Sequence, residues 1–443
     1  MQFNSVEFIF CFFPVFLLVY YGIRPELRGA ATVLGSFVFY SLACGGNYWW
    51  IAVLMAVVLL SYGAALSLKY TRKGILLGAY LCGLGGLLVF FKLYAGGRYL
   101  PVGMSFYLFQ AAACLIDVYR GRIEPDRNLL QFVEQLVLFP KLLSGPLVAP
   151  AELQRQNREN TPDYAGFHQG LQELILGLGL KVLLANRIGG LWSQAGTVGY
   201  GSVTTAFAWM ALLAYAMQLY FDFWGYSLMA IGIGRMLGYA LPANFMNPYA
   251  ARSVSEFWRR WHVTLGAWFR EYVYIPLGGN GKGTVRTIGN LAVVWLLTGL
   301  WHGVGGNYLL WAGFLFLMIV NERLWLGKLL QKTKILCHVY TVFVMLLSWL
   351  PFAMGNMTDV TAFLGRLFCF SGVAINPNDY ILWGGDYGFL LLAGILFMTP
   401  VPERLWNKVR RYPVSDGALF VLFWIVVYFI ATAAQDPFMY FQY

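Results

Sequence analysis

Ser253-Val254-Ser255-Glu256-Phe257-Trp258-Arg259-Arg260-Trp261-His262 opens the stretch that decides how this chain is read, Ser253 to Val320. A turn follows at Leu277-Gly278-Gly279-Asn280-Gly281-Lys282-Gly283, and then an apolar run that carries Thr298-Gly299-Leu300-Trp301-His302-Gly303. From Thr287 to Trp301 that run holds no charged residue. Apolar runs of this kind, about 17–25 residues long, cross a bilayer as helices. Two of the 4 histidines lie in this stretch. An ionisable side chain inside apolar sequence is costly, so His302 needs a reason to be there.

The rest of the chain agrees with a membrane setting. Of 443 residues, 59% are hydrophobic and 12% are charged, against roughly 25% charged in a soluble domain. The net charge of +11 does not point to nucleic acid, because the basic residues sit in short connections between apolar runs and hold them on the cytoplasmic side. Cys11, Cys44, Cys82, Cys114, Cys337 and Cys369 are isolated and lack metal-ligand or redox spacing. No metal site is expected. The first apolar run starts near Glu7 without a basic leader and reads as a retained span.

Span-like runs are Phe8–Gly22, Ala30–Ala43, Tyr48–Leu68, Gly74–Tyr94, Val203–Trp224, Thr287–Trp301, Tyr308–Leu324, Ile335–Met354, Gly388–Pro400 and Gly417–Ala433. Val102–Asp117, Leu129–Pro150, Gly170–Ile188 and Tyr226–Leu241 are ambiguous. The expectation is an all-α polytopic membrane protein of roughly eleven spans, with re-entrant or interfacial helices besides. No repeat or long polar linker divides it, so residues 1–443 read as one integral-membrane domain. Gly83-x-Gly85-Gly86 and Gly232-x-Gly234 predict close helix packing. Arg404, Lys408, Arg410 and Arg411 crowd one loop, and Arg323, Lys328, Lys332 and Lys334 another; both read as cytoplasmic, with 356–387 outside. Lys69, Arg72 and Lys73 mark a further cytoplasmic loop, which Lys92 and Arg98 fit less well.

Ser253-x-x-Glu256 reads as a capping box that starts a helix. On it Val254, Trp258, His262, Leu265 and Phe269 share one face by helical spacing. Arg259, Arg260 and Arg270 fall elsewhere and suit lipid phosphates or an anionic ligand. So aromatic and basic a helix belongs at the interface or partly inserted. His262 is either catalytic or a hydrogen-bonded structural histidine. His302, flanked by Trp301 and by Gly303-Val304-Gly305-Gly306-Asn307, is the stronger choice. Irregular backbone at that depth is buried in protein or lines a wet cavity, and a neutral imidazole there can take a proton from a hydroxyl. The bland reading is a packing histidine bonded to a carbonyl. Asp117 and Asp222 can orient a histidine or form structural ion pairs. The chain has no Gly-x-Ser-x-Gly elbow, His-Glu-x-x-His, phosphate loop or dinucleotide fingerprint.

Several blocks resemble the membrane-bound O-acyltransferase family, and within it the bacterial subgroup of alginate O-acetylation and teichoic-acid D-alanylation. They are Pro101-Val102-Gly103-Met104-Ser105-Phe106-Tyr107 with Asp117, Phe139-Pro140-Lys141-Leu142-Leu143-Ser144-Gly145-Pro146, and Tyr220-Phe221-Asp222-Phe223-Trp224-Gly225-Tyr226-Ser227. Asn244-Phe245, Pro248-Tyr249, Ser255 to His262, Tyr274 to Asn280 and Gly299 to Gly303 follow in the same order. They cover most of a core at 101–320. The resemblance implies a ring of helices around a central tunnel. It places the family histidine on His302 and the second polar family position on His262, with Asp222, Asp117, Trp301, Trp258 and Arg259 around them.

It further implies an enzyme of the cell (inner or plasma) membrane. Such an enzyme passes an acyl group, acetyl from acetyl-CoA in this reading, to an extracytoplasmic or cell-wall polysaccharide. A separate SGNH-type or similar extracytoplasmic transferase would complete the transfer. No bound cofactor is expected. The partners are the acyl donor and membrane lipid, and nucleic acid is not among them. A related C-terminal Phe-x-Tyr-Phe motif carries acyl groups on tyrosine; Phe438-Met439-Tyr440-Phe441, within an aromatic tail at 436–443, has that form. Tyr440, with Tyr443 as second choice, is the expected relay. D-alanyl transfer, a transporter or flippase, and a non-catalytic scaffold are the competing readings.

Overall fold

The computed structural model describes residues 1–71, 73–94, 99–330, 333–368 and 374–433, with backbone alone at 328 and 330. Among them there is helix and no strand. Eight helices are long and apolar enough to cross a membrane, and Glu7–Gly22 and Met104–Tyr119 are shorter apolar helices. The chain is thus an all-α, multi-pass membrane protein, with eight helices of spanning length among the described residues where the sequence suggests roughly eleven spans. Arg72, Arg98, Lys332, Cys369, Tyr440 and Tyr443 lie outside the described residues, as does the side chain of Lys328.

Three ambiguous runs resolve differently from the clear ones. Val203–Trp224 and Tyr226–Leu241 supply a single helix, Thr205–Met236; Gly225 does not interrupt it, because glycine is well tolerated in membrane helices. Gly170–Ile188 lies inside Tyr164–Val198, which widens to a π-turn at Leu180–Ala185. Leu129–Pro150 does not span. It breaks into Leu129–Val137 and Phe139–Leu142, since Pro140 cannot donate to a continuing helix.

Backbone contacts divide the chain into two units. The first holds Met1–Leu178, Tyr226–Ala243 and Val427–Ala433. Its core is aromatic: Phe3 stacks on Phe39 and Tyr226 at 5.2 and 4.8 Å, and Phe139 meets Phe16 edge-on at 5.3 Å. The predicted glycine packing is found at Gly232. A Cβ there would stand 2.4 Å from the carbonyl oxygen of Gly170, and a Cβ on Gly170 would stand 2.4 Å from that of Gly232. Gly83, Gly85 and Gly86 do not behave so, for a Cβ on each meets nothing within 4 Å among the described residues. Their helix, Gly74–Leu93, buries only Lys92, and Gly83, Gly85 and Gly86 stand on its exposed side. Asp117 lies in this unit with Arg122 at 3.4 Å, and Glu134 accepts from the Tyr239 hydroxyl at 2.6 Å.

The second unit holds Gly179–Gly225 and Asn244–Val426. Thr284–His302 and Gly306–Asn321 form its central hairpin. Thr284–His302 is inverted relative to a helix of a soluble protein. Thr287, Asn290, Trp295, Thr298 and His302 face protein, whereas Val293, Leu296, Leu297 and Leu300 are exposed. In lipid that is the stable arrangement, because polar side chains must find partners inside the protein. Lys181 and Asp222, 0% and 2% exposed at their side chains, pair at 2.7 Å, and Lys181 also donates to Asn186 at 2.8 Å. Around Trp258, the indoles of Trp295, Trp311 and Trp349 lie at 5.1, 5.6 and 6.1 Å.

Candidate functional site

His302 is the last residue of Thr284–His302. The helix stops because Gly303 turns extended (φ 176) so that the backbone can pass the Tyr308 ring; a Cβ at Gly303 would lie 2.3 Å from that ring. His302 is left 7% exposed. Rings surround it, with Trp301 at 4.5 Å and the edge-on pairs Trp311 at 4.9 Å and Phe352 at 5.0 Å. Asn307 secures the wall by donating to the Pro351 carbonyl at 3.1 Å.

His262 is where the sequence reading needs correcting. The Ser253 half of the capping box holds, since Ser253 accepts from the Glu256 N–H at 3.0 Å; Glu256 reaches past the N-cap and accepts from the Arg252 N–H at 2.9 Å. The single helix expected from it does not. Val254–Arg260 ends at Trp261, His262 adopts a left-handed conformation (φ 46), and Val263–Phe269 begins anew. The break is imposed from elsewhere in the chain. Asn244 accepts from the Val263 N–H at 2.9 Å, and Met246 donates to the Arg260 carbonyl at 2.9 Å. Those bonds offset the roughly 1–2 kcal/mol that a left-handed non-glycine residue costs. His262 is 4% exposed and packs edge-on against Phe223 at 4.7 Å. Burial pushes its imidazole down to about 3, so it is neutral at physiological pH.

A cavity of about 1160 Å³ brings the two imidazoles together. Thr298, Trp258, Trp261 and Trp295 line it with them, and so do the exposed Arg252, Arg259, Arg270, Arg323 and Lys334. Its two acids are already engaged. Glu256 is 2.5 Å from Arg260, and Glu322 takes the N–H groups of Val254 and Ser255 at 2.6 and 3.0 Å and the Ser255 hydroxyl at 2.9 Å. The free field of the wall is therefore positive. The Trp258 indole N–H is buried with no acceptor among the described residues, a donor left unsatisfied beside the cavity.

Of the residues singled out from sequence, His302, His262, Trp258 and Arg259 share this cavity. Trp301 touches both histidine rings, at 4.5 and 6.0 Å, without lining it. Asp222, paired with Lys181, and Asp117 do not line it. Sequence reasoning missed Asn244 and Glu322 as site residues. Asn244 offered a signal, an amide between Ala243 and Phe245, whereas Glu322, between Asn321 and Arg323, offered none. Among the described residues no three of His, Cys, Asp and Glu gather as a metal site.

The membrane-bound O-acyltransferase family model matches residues 99–356. The chain belongs to that family. It is accordingly a multi-pass membrane enzyme that transfers acyl groups. The matched region takes in the hairpin, both histidines and the cavity wall. The chain is 34% identical over 412 residues to a probable alginate O-acetylase, AlgI, of Pseudomonas fluorescens, covering 89% of this chain and 81% of that protein. It is 31% identical to the Pseudomonas putida protein of the same name, over the whole of both chains. It is 30% identical to a peptidoglycan O-acetyltransferase of Helicobacter pylori, covering 100% of this chain and 97% of that one.

Proposed function

We propose that this acyltransferase takes acetyl from acetyl-CoA on the cytoplasmic side and delivers it, across the plasma or inner membrane, for O-acetylation of an extracytoplasmic or cell-wall polysaccharide. The observation that carries the proposal is one cavity with exposed guanidinium and ammonium groups on its wall and two buried neutral-capable imidazoles. Arg252, Arg259, Arg270, Arg323 and Lys334 suit the phosphates of a coenzyme A donor. Arg323 and Lys334 also belong to a loop whose basic composition places it in the cytoplasm. The acetylating names of relatives that align along most of this chain favour acetyl over D-alanyl.

In the step proposed, His302 accepts the proton of an incoming hydroxyl as its oxygen attacks the thioester carbonyl. The indole N–H of Trp258 holds the oxyanion that forms. The carbon–sulfur bond then breaks, and the imidazolium returns its proton to the thiolate, leaving an O-acetyl ester and free coenzyme A thiol. The first hydroxyl is that of Tyr440, or failing it Tyr443, in the aromatic tail. A separate SGNH-type extracytoplasmic transferase passes the acetyl group from the phenol oxygen to a sugar hydroxyl and regenerates the tyrosine. The purified protein, given isotopically labelled acetyl-CoA and then digested, should carry label on its C-terminal peptide. Absence of label there with polymer acetylation intact would remove the relay. Absence of any acetyl transfer would remove the proposal.

A further inference from the structure

Asn244 is 1% exposed, and its Oδ1 meets three groups. The Thr264 N–H lies 3.4 Å away, the Thr264 hydroxyl 2.9 Å and His262 Nδ1 3.0 Å. The backbone N–H of Thr264 can only donate, so the amide atom facing it is the carbonyl oxygen; the opposite orientation would set two donors against each other. An amide oxygen can only accept. The ring nitrogen 3.0 Å from it must therefore carry a hydrogen, and a neutral imidazole protonated at Nδ1 keeps its lone pair on Nε2.

The surroundings hold this arrangement from both sides of the histidine. Asn244 O takes the Val263 N–H, Met246 N gives to Arg260 O, and Phe223 meets the ring at 88°. The left-handed backbone at His262 (φ 46) is part of the same lattice. Nδ1 is turned to Asn244, and His262 is among the residues that line the cavity.

We infer that Asn244 is a positioning residue that fixes His262 as its Nδ1–H tautomer, so that this histidine meets the reactants as a hydrogen-bond acceptor and not as a donor. The inference rests on reading the cavity as the site of acyl transfer. Its consequence is a division of labour. His262 in this form receives an O–H, from a water bridging to the reactants, and cannot hold a developing oxyanion. The oxyanion falls to true donors such as the Trp258 indole.

The chain has only 4 histidines, so the tautomer can be read directly. Full-length protein labelled with ¹⁵N-histidine would be reconstituted in lipid bilayers and studied by solid-state NMR. The His262 signals are identified by their loss in His262→Gln. The expected result is a protonated Nδ1 and a bare Nε2 in the unaltered protein. In Asn244→Leu the ring moves to Nε2–H, the form a free histidine side chain prefers, and acetyl transfer falls at least tenfold. Asn244→Asp, which keeps an acceptor at the same place, retains both the tautomer and most of the activity. Nε2–H in the unaltered protein, or an unchanged tautomer in Asn244→Leu, overturns the inference. Should Asn244→Leu fail to fold, the tautomer of the unaltered protein and of Asn244→Asp still decides. If the tautomer is as expected while the unaltered protein transfers no acetyl from acetyl-CoA, the role of Asn244 stands and the acyl-donor reading falls.

Discussion

Replacing Lys181 by Met tests whether the second unit is held by the ion pair at its π-turn. Lys181 and Asp222 are 0% and 2% exposed and 2.7 Å apart. At an effective dielectric constant near 20 their gross attraction is about 6 kcal/mol. Desolvation of both ions consumes much of it, so the net worth of the intact pair is small. Removing one partner is a different matter. Lys181→Met removes the counter-ion of a buried carboxylate and costs roughly 3–5 kcal/mol. Asp222→Leu leaves the ammonium its Asn186 acceptor but removes its counter-ion, at a similar cost. The double variant removes both ions and returns to within about 1 kcal/mol of the parent, or exceeds it. Equilibrium unfolding in mixed detergent micelles, followed across the full cycle, measures the coupling. A Lys181→Met variant within about 1 kcal/mol of the parent would refute the reasoning, as would a double variant as unstable as the sum of the singles.

Trp258→Phe keeps an aromatic side chain, though a smaller one, and removes the indole N–H; it should slow acetyl transfer roughly 100-fold in kcat with little change in KM for acetyl-CoA, and steady-state kinetics on the purified protein check it. Gly232→Ala places a methyl 2.4 Å from the Gly170 carbonyl oxygen and should cost about 1–3 kcal/mol by the same unfolding assay. Lys141 is wholly buried in the short helix Phe139–Leu142, and burial pushes its ammonium down to about 7. Its folded value lies below the unfolded one. The penalty is therefore full below pH 7 and disappears as pH rises towards the unfolded value near 10.5. Lys141→Met should raise thermal stability at pH 6 and show a shrinking advantage as pH approaches 10; an advantage constant across that range would contradict this account.

The membrane class was readable because scarcity of charge is a global property that needs no tertiary information. His302 was readable for a local reason: one imidazole at the end of a charge-free run, followed at once by Gly303-Val304-Gly305-Gly306-Asn307, a stretch too rich in glycine to favour a continuing helix. The basic wall was half readable, since Arg259 and Arg270 stood out on the aromatic segment while Arg252, Arg323 and Lys334 join them only in three dimensions. The break at His262 was not readable. The capping box and helical spacing run straight through it, and the bonds that end the helix come from Asn244, 18 residues away. For the same reason Asn244 itself looked like loop. Glu322 looked like the polar end of a span, although it caps Val254–Arg260 from 68 residues away. The glycine signal misled at Gly83–Gly86, because small residues permit close approach without supplying a neighbour. It succeeded at Gly232, where Gly170 supplies one.

The central claim is that a proton-accepting imidazole at position 302 drives transfer from the donor in this cavity. The most direct measurement is the single-turnover rate of label transfer from acetyl-CoA to the protein or polymer, compared between the unaltered chain and His302→Gln. Each preparation is first shown to be folded and to bind coenzyme A. The account predicts that His302→Gln binds the donor normally and transfers label at least 100-fold more slowly, the scale of a lost general base. Transfer at the unaltered rate by a folded, donor-binding His302→Gln protein would contradict it.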